Sequence, residues 1–149
     1  MIKVKNISKA FDGIKVLNQI STVFDKGKTN LIIGQSGSGK TVFIKCLLGL
    51  IECDSGYIEF DNKAFNTMSI KERSILRQEV GMVFQGSALF DSMTVEENIM
   101  FPMHMFTNKE ESEVRDQANM AIKRVNLINA NEKYPEETSG GMKKRVAIA

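Results

Sequence analysis

The run Gly34-Gln35-Ser36-Gly37-Ser38-Gly39-Lys40-Thr41 has the order glycine, four residues, Gly-Lys-Thr, which is the spacing of a phosphate-binding loop. Gly34, Gly37 and Gly39 let the backbone turn tightly enough to aim successive N–H groups at one point, with the hydroxyls of Ser36 and Ser38 between them. A helix beginning at the end of the loop would bring its positive dipole end to the same place, making a cradle for an anion. Lys40 is then placed to reach the β and γ phosphates of a nucleotide. The Thr41 hydroxyl is the expected ligand for Mg²⁺, a hard ion that prefers oxygen. ATP and Mg²⁺ are the cofactors this chemistry predicts. The competing reading is a flexible Gly/Ser turn carrying a solvated lysine.

A loop of this kind works only between a strand and a helix, and the flanking residues supply both patterns. Thr29 to Ile33 is a short apolar run that reads as a buried strand, and Val42, Phe43, Cys46, Leu47 and Leu50 recur at helical spacing between Thr41 and Ile51. Upstream, Ile2, Val4 and Ile7 open a period-two pattern, Asp12-Gly13 marks a turn, and Ile14 to Phe24 is rich in branched residues, predicting an antiparallel pair. Tyr57 to Phe60 and Val80 to Phe84 read as further strands. Ser69 with Glu72, and Thr94 with Glu97, have capping-box spacing and open helices. Pro102 is expected to end or kink the second of these. A longer helix from about Lys109 presents Val114, Ala118, Ile122 and Val125 on one face. The predicted organisation is a nucleotide-binding core over 1–90, a helical subdomain over 91–138, and Ser139-Gly140-Gly141 with the start of another helix over 139–149.

The chain has 149 residues, 42% of them hydrophobic and 26% charged, which excludes disorder and fibrous classes. A formal net charge of +2 is too small to imply a nucleic-acid surface or an anionic-membrane patch. No apolar run approaches the roughly 20 residues needed to span a bilayer, so no direct membrane insertion is expected. The N-terminal residues lack the charged start and apolar block of a signal peptide. Cys46 and Cys53, the only cysteines, are expected to be reduced and packed.

A phosphate loop does not by itself distinguish kinases, GTPases, helicases and transporter motors. Gln85 after the apolar run Val83-Phe84, followed far downstream by Thr138-Ser139-Gly140-Gly141-Met142, does separate them. With these segments in this order the sequence resembles the ATP-binding subunits of ABC transporters over its whole length. The resemblance implies an α/β fold: a P-loop NTPase core of the ABC type with an antiparallel β-subdomain and a helical subdomain. It implies that Phe11 stacks on adenine with Val16 beside it, although Phe11 could equally be a core strand residue. Gln85 would lie near Mg²⁺ and the attacking water. Ser139, Gly140 and Gly141 would bind the γ-phosphate of ATP held by a second subunit, in a head-to-tail homodimer. The ends of the signature, Thr138 and Met142, depart from the family's usual Leu and Gln. The stretch Phe84 to Asp91, together with Met142, resembles the ATPases of phospholipid-transport systems of the lipid-asymmetry type.

The same resemblance implies a membrane permease as partner, with Phe90, Met93, Met100, Phe101, Met103, Met105 and Phe106 near its docking groove or packing the helical subdomain. It also implies a location on the cytoplasmic face of the membrane. His104, the only histidine, lies far upstream of the family's switch histidine. In the family an apolar strand ending in Asp-Glu and then that histidine follow the signature helix, whereas this sequence stops at Ala149. The expectation is a C-terminally incomplete core, hydrolytically incomplete and marginally stable alone. Two other readings stay open: a binding-only ATP module, and a small phosphate-loop kinase.

Overall fold

The computed structural model describes residues 1–149, which form two compact units, Met1–Gly81 and Met82–Ala149. The sequence places the end of the core at 90. The compact units divide instead at Gly81, so Gln85 to Phe90 fall within the helical unit.

The first unit is built on an antiparallel hairpin of β1 (Ile2–Phe11) and β2 (Ile14–Phe24). Asp12 and Gly13 both take positive φ, 48° and 78°, as a two-residue hairpin turn that matches strand twist requires. The ladder is broken at Asn6 and Gln19, with φ of 50° and 49°, and side chains take over there. The Asn6 N–H donates to Ser21 Oγ at 2.9 Å and the Gln19 N–H to Ser8 Oγ at 3.0 Å. Strand β3 (Ser55–Phe60) pairs antiparallel with the other edge of β1, and the short β4 (Lys63–Ala64) pairs with β3, giving the order β2-β1-β3-β4.

Helix α1 (Lys40–Leu47) lays Phe43 and Cys46 on this sheet, where they bury Val4, Ile7, Leu17, Ile58, Phe60 and Phe65. The helix is shorter than the apolar spacing to Ile51 predicts. It ends in a Schellman motif, with the Leu50 N–H donating to Lys45 O at 2.9 Å and the Gly49 N–H to Cys46 O at 3.0 Å. Helix α2 (Ile70–Gln78) starts at the expected Ser69/Glu72 capping box. Its Arg77 donates to Leu48 O and Gly49 O at 3.1 and 3.0 Å, a cation at the negative end of α1.

Two expected strands are absent. At Thr29–Ile33 there is no ladder, and Leu31 and Ile33 are 85% and 82% exposed; at Val80–Phe84 there is again none. A strand exists only as one side of a pair, and neither segment meets another whose N–H and C=O groups could match its own.

Asp54 ties β1 to the start of β3, accepting from Lys9 Nζ at 2.6 Å and from the Ala10 N–H at 2.7 Å. The Lys9 hydrogen bond first, and the Ala10 N–H second, hold its carboxyl below the usual carboxylate range. Because the folded carboxyl gives up its proton more readily than the unfolded one, its stabilisation is complete above about pH 4 and is lost as pH falls through the folded value. In Asp54→Asn the deficit in urea midpoint seen at pH 7 is therefore expected to shrink by pH 2. A deficit that persists unchanged at pH 2 would contradict this role.

The second unit consists of α3 (Val95–Phe106), α4 (Glu111–Arg124) and α5 (Gly140–Val146). Its core holds Val95, Ile99, Met100, Val114, Ala118, Ile122, Leu127, Ala130 and Val146. The Thr94/Glu97 capping box opens α3 as predicted. The helix then runs through Pro102 to Phe106 instead of ending there. A proline removes one N–H, and the buried face of Val95, Ile99 and Met100 holds the helix despite that loss.

Candidate functional site

The phosphate loop is an exposed segment leading into α1. Gly37 and Gly39 have φ of 79° and 90°, in the left-handed region, so the backbone turns at both positions rather than continuing as extended chain. The loop is closed by the Ser38 N–H donating to Gln35 O at 3.2 Å. Gly39 is the N-cap of α1, and having no side chain it cannot occupy the first-turn N–H groups, which have no carbonyl partner within a helix. There is also no acidic side chain in that turn to compete with an anion.

Lys40 Nζ folds back over the loop and donates to Gly34 O at 2.8 Å and Gln35 O at 2.6 Å. The ammonium therefore lies against the loop itself. A donor set of backbone amides plus one ammonium, with no carboxylate nearby, fits a polyphosphate. Thr41 is exposed at the second position of α1 and can offer one oxygen to Mg²⁺. No cluster of three or more His, Cys, Asp or Glu exists to hold a metal, so most of a magnesium shell would come from phosphate and water.

Gly34 and Gly39 are both crowded, the first by a side chain that can rotate away and the second partly by backbone. A Cβ on Gly34 would lie 2.7 Å from Ser38 Oγ. On Gly39 it would meet Val16 Cγ1 and Val16 O at 3.0 Å and Leu17 Cδ2 at 3.2 Å. This packing puts half-buried Val16 directly against the loop. Gly39→Ala is expected to lower the stability of the first unit by about 1–3 kcal/mol through positive-φ strain and this contact. An unchanged denaturation midpoint would show that β2 does not support the loop.

Phe11 is 41% exposed at the end of β1, with Lys9 Nζ 5.4 Å from its ring centre. It is not a core residue. Gln85 is exposed and belongs to the second unit. Ser139 caps α5, its Oγ accepting from the Met142 N–H at 3.2 Å, which leaves the hydroxyl hydrogen free to donate outward. Buried Thr138 donates to Pro135 O at 2.7 Å, and Met142 packs against the helical core. Both departures from the usual signature thus have local structural reasons.

Sequence reasoning missed Asn98. Its Nδ2 donates to Phe90 O, Met93 O and Thr94 O, and its Oδ1 accepts from the Phe90 N–H, so one side chain sets the chain between Phe90 and α3. The available signal was an amide at the junction between the acidic first turn, Glu96-Glu97, and the apolar run that begins at Ile99. Of the expected docking residues, Phe90, Phe101 and Met103 line a cavity of about 490 Å³. Met93 and Met100 line a separate one of about 460 Å³ with Phe101, and Met100 is also core; Met105 and Phe106 are about 60% exposed.

A family model described as ABC transporter matches residues 17–149. The chain is 36% identical over 148 residues to a probable ribonucleotide transport ATP-binding protein of Mycobacterium leprae, covering 99% of this chain and 43% of that protein. It is 42% identical over 151 residues to the glutamine transport ATP-binding protein of Escherichia coli, covering 62% of it. The chain thus spans less than two thirds of these relatives. Among solved structures, the dimeric ATP-binding cassette MJ0796, in a post-hydrolysis state bound to ADP and Pi, superposes with a TM-score of 0.88 at 28% identity, covering 99% of this chain and 67% of that one.

Proposed function

This chain belongs to the ABC transporter family, matched over residues 17–149, and from that premise we propose that it is the ATP-binding, energy-coupling part of a membrane transporter. The observation that carries this reading is the Lys40 ammonium held against a loop that turns at Gly37 and Gly39 into the start of α1. In this reading the loop from Gly34 to Thr41 grips the phosphates, and Phe11 and Val16 receive the adenine. Mg²⁺, when bound, offsets phosphate charge, with Thr41 supplying one oxygen and Gln85 a second contact. Gln85 also orients water. Hydrolysis is positioning and electrostatics, so each of these residues acts by holding a group in place.

Ser139, Gly140 and Gly141 act in trans. The outward hydroxyl of Ser139 and the first N–H groups of α5 suit a phosphate brought by a second copy, and a dimeric ATP-binding cassette among the relatives supports a head-to-tail homodimer. Calorimetric titration of the chain with Mg-ATP tests the reading directly, and absence of binding to folded protein overturns it. Phosphate release by the protein in its full length then separates an ATPase from a module that binds without hydrolysing. A phosphate-loop kinase is the weaker reading, since the order of Gln85 and Ser139-Gly140-Gly141 after the loop favours a transporter ATPase.

The partner in this proposal is a membrane permease, which holds the ATPase at the cytoplasmic face; no helix of the chain is long and apolar enough to cross a membrane. The cavity of about 490 Å³ lined by Phe90, Phe101 and Met103 suits an apolar helix from that partner. For the cargo, the resemblance of Phe84 to Asp91 points to a phospholipid. Met142 adds little to it, since its packing explains the residue. The relatives are named for ribonucleotide, methionine and glutamine transport, which are the competing cargoes. Stimulation of ATP turnover by phospholipid in the reconstituted transporter, and not by those solutes, is the expected result.

A further inference from the structure

We propose that Lys9 and Asp54 are positioning residues that hold the Phe11 ring for a nucleotide base, and so set the preference for a nucleoside triphosphate over a bare polyphosphate. The proposal rests on the reading of Phe11 as the residue that receives adenine.

The β1–β3 ladder ends at the Ser8–Ser55 pairing, short of Phe11. Beyond that point β1 still pairs with β2, where Ala10 faces Lys15 and Phe11 faces Ile14. On the β3 side the Asp54 side chain stands in for the missing strand. Its Oδ2 accepts from the Ala10 N–H at 2.7 Å, while the Asp54 N–H donates to Ser8 O at 2.9 Å. The backbone just before Phe11 is thereby held along both edges. Alternate residues of a strand share a face, which brings Lys9 alongside Phe11. Lys9 Nζ donates to Asp54 Oδ1 at 2.6 Å and lies 5.4 Å from the centre of the Phe11 ring, within the roughly 6 Å over which an aromatic face attracts a cation. One carboxylate therefore anchors both the backbone that leads into Phe11 and the cation at its ring. A ring restrained in this way loses less freedom when a base stacks on it, which strengthens only ligands that carry a base. Lys9 and Asp54 bond to each other and to β1, not to the loop from Gly34 to Thr41, so a ligand made of phosphate alone should not sense them.

Calorimetric titration of the chain with Mg-ATP and with magnesium tripolyphosphate reads the base separately from the phosphates. The wild-type chain is expected to bind ATP about tenfold more tightly, the size of one base–aromatic stack. Lys9→Met and Asp54→Ala, each with its fold checked by circular dichroism, are expected to lose most of that preference with tripolyphosphate binding unchanged. Lys9→Arg, which keeps a cation at the ring and a donor to Asp54, is expected to retain it. Lys9→Met decides alone if Asp54→Ala fails to fold. A wild-type preference in the folded variants overturns the proposal, and so does an equal weakening of both ligands, which would make the pair a support of the fold only. A wild-type chain that binds the two ligands equally overturns the assignment of adenine to Phe11 and this proposal with it, whereas one that binds neither overturns the proposed function as a whole.

Discussion

Lys40→Ala weakens Mg-ATP binding by about ten- to a hundredfold, while the chain keeps its fold. The size follows from deleting a charge-assisted contact worth roughly 1.5–3 kcal/mol, at about 1.4 kcal/mol per tenfold. The fold survives because the two carbonyls that Lys40 satisfies, those of Gly34 and Gln35, lie at the surface and return to water. The same fact makes the variant a clean test. Calorimetric titration gives the affinity and circular dichroism the fold, so a loss of binding cannot be mistaken for unfolding. Lys40→Arg keeps the charge but replaces a compact ammonium by a broader fork, and intermediate affinity is expected. Wild-type affinity in Lys40→Ala would remove the ammonium from the nucleotide site and with it the main support for the proposed function.

Gly56→Ala destabilises the first unit by about 3 kcal/mol or more, a large part of the 5–15 kcal/mol typical of a whole domain. Gly56 has φ of 84°, and a Cβ there would lie 2.4 Å from Asn6 O and 2.5 Å from both Asn6 C and Lys5 O. Those are backbone atoms of the adjacent strand and cannot rotate away. To admit a methyl group, β3 must move off β1 where the Lys5–Tyr57 and Ser8–Ser55 pairings flank the bulge. Gly13→Ala supplies the control. Its φ of 78° imposes a similar conformational strain, but nothing lies within 4 Å of the added carbon. It should cost only about 1 kcal/mol. Urea midpoints for the two variants therefore separate strain from collision, and equal losses would show that the approach of β3 to β1 is not what demands glycine.

What could be read directly from consecutive residues was local in origin. The glycine turns of the 34–41 loop, the Asp12-Gly13 hairpin and the capping boxes at Ser69 and Thr94 are each specified within a few positions by sterics or by one short hydrogen bond, and each is present. The apolar face of α4, with Val114, Ala118 and Ile122, was legible for the same reason: periodicity is a property of the segment itself. The resemblance carried by Lys40, Gln85 and Ser139 in order identified the family, although it could not say how each residue is held.

Tertiary structure decided everything that needs a distant partner. Apolar runs at 29–33 and 80–84 have the composition of strands, but pairing requires a second segment in register, and none meets them. Helix α1 stops at Leu47 although Leu50 and Ile51 continue its apolar spacing, because Gly49 turns the chain and Arg77 from α2 takes the carbonyls left over. Asn98 became a positioning residue and Gly39 a contact of β2 only once the chain had folded back on itself. Spacing along a chain fixes which groups are available; the distances that let them act arise from burial and pairing, which involve residues far apart in sequence.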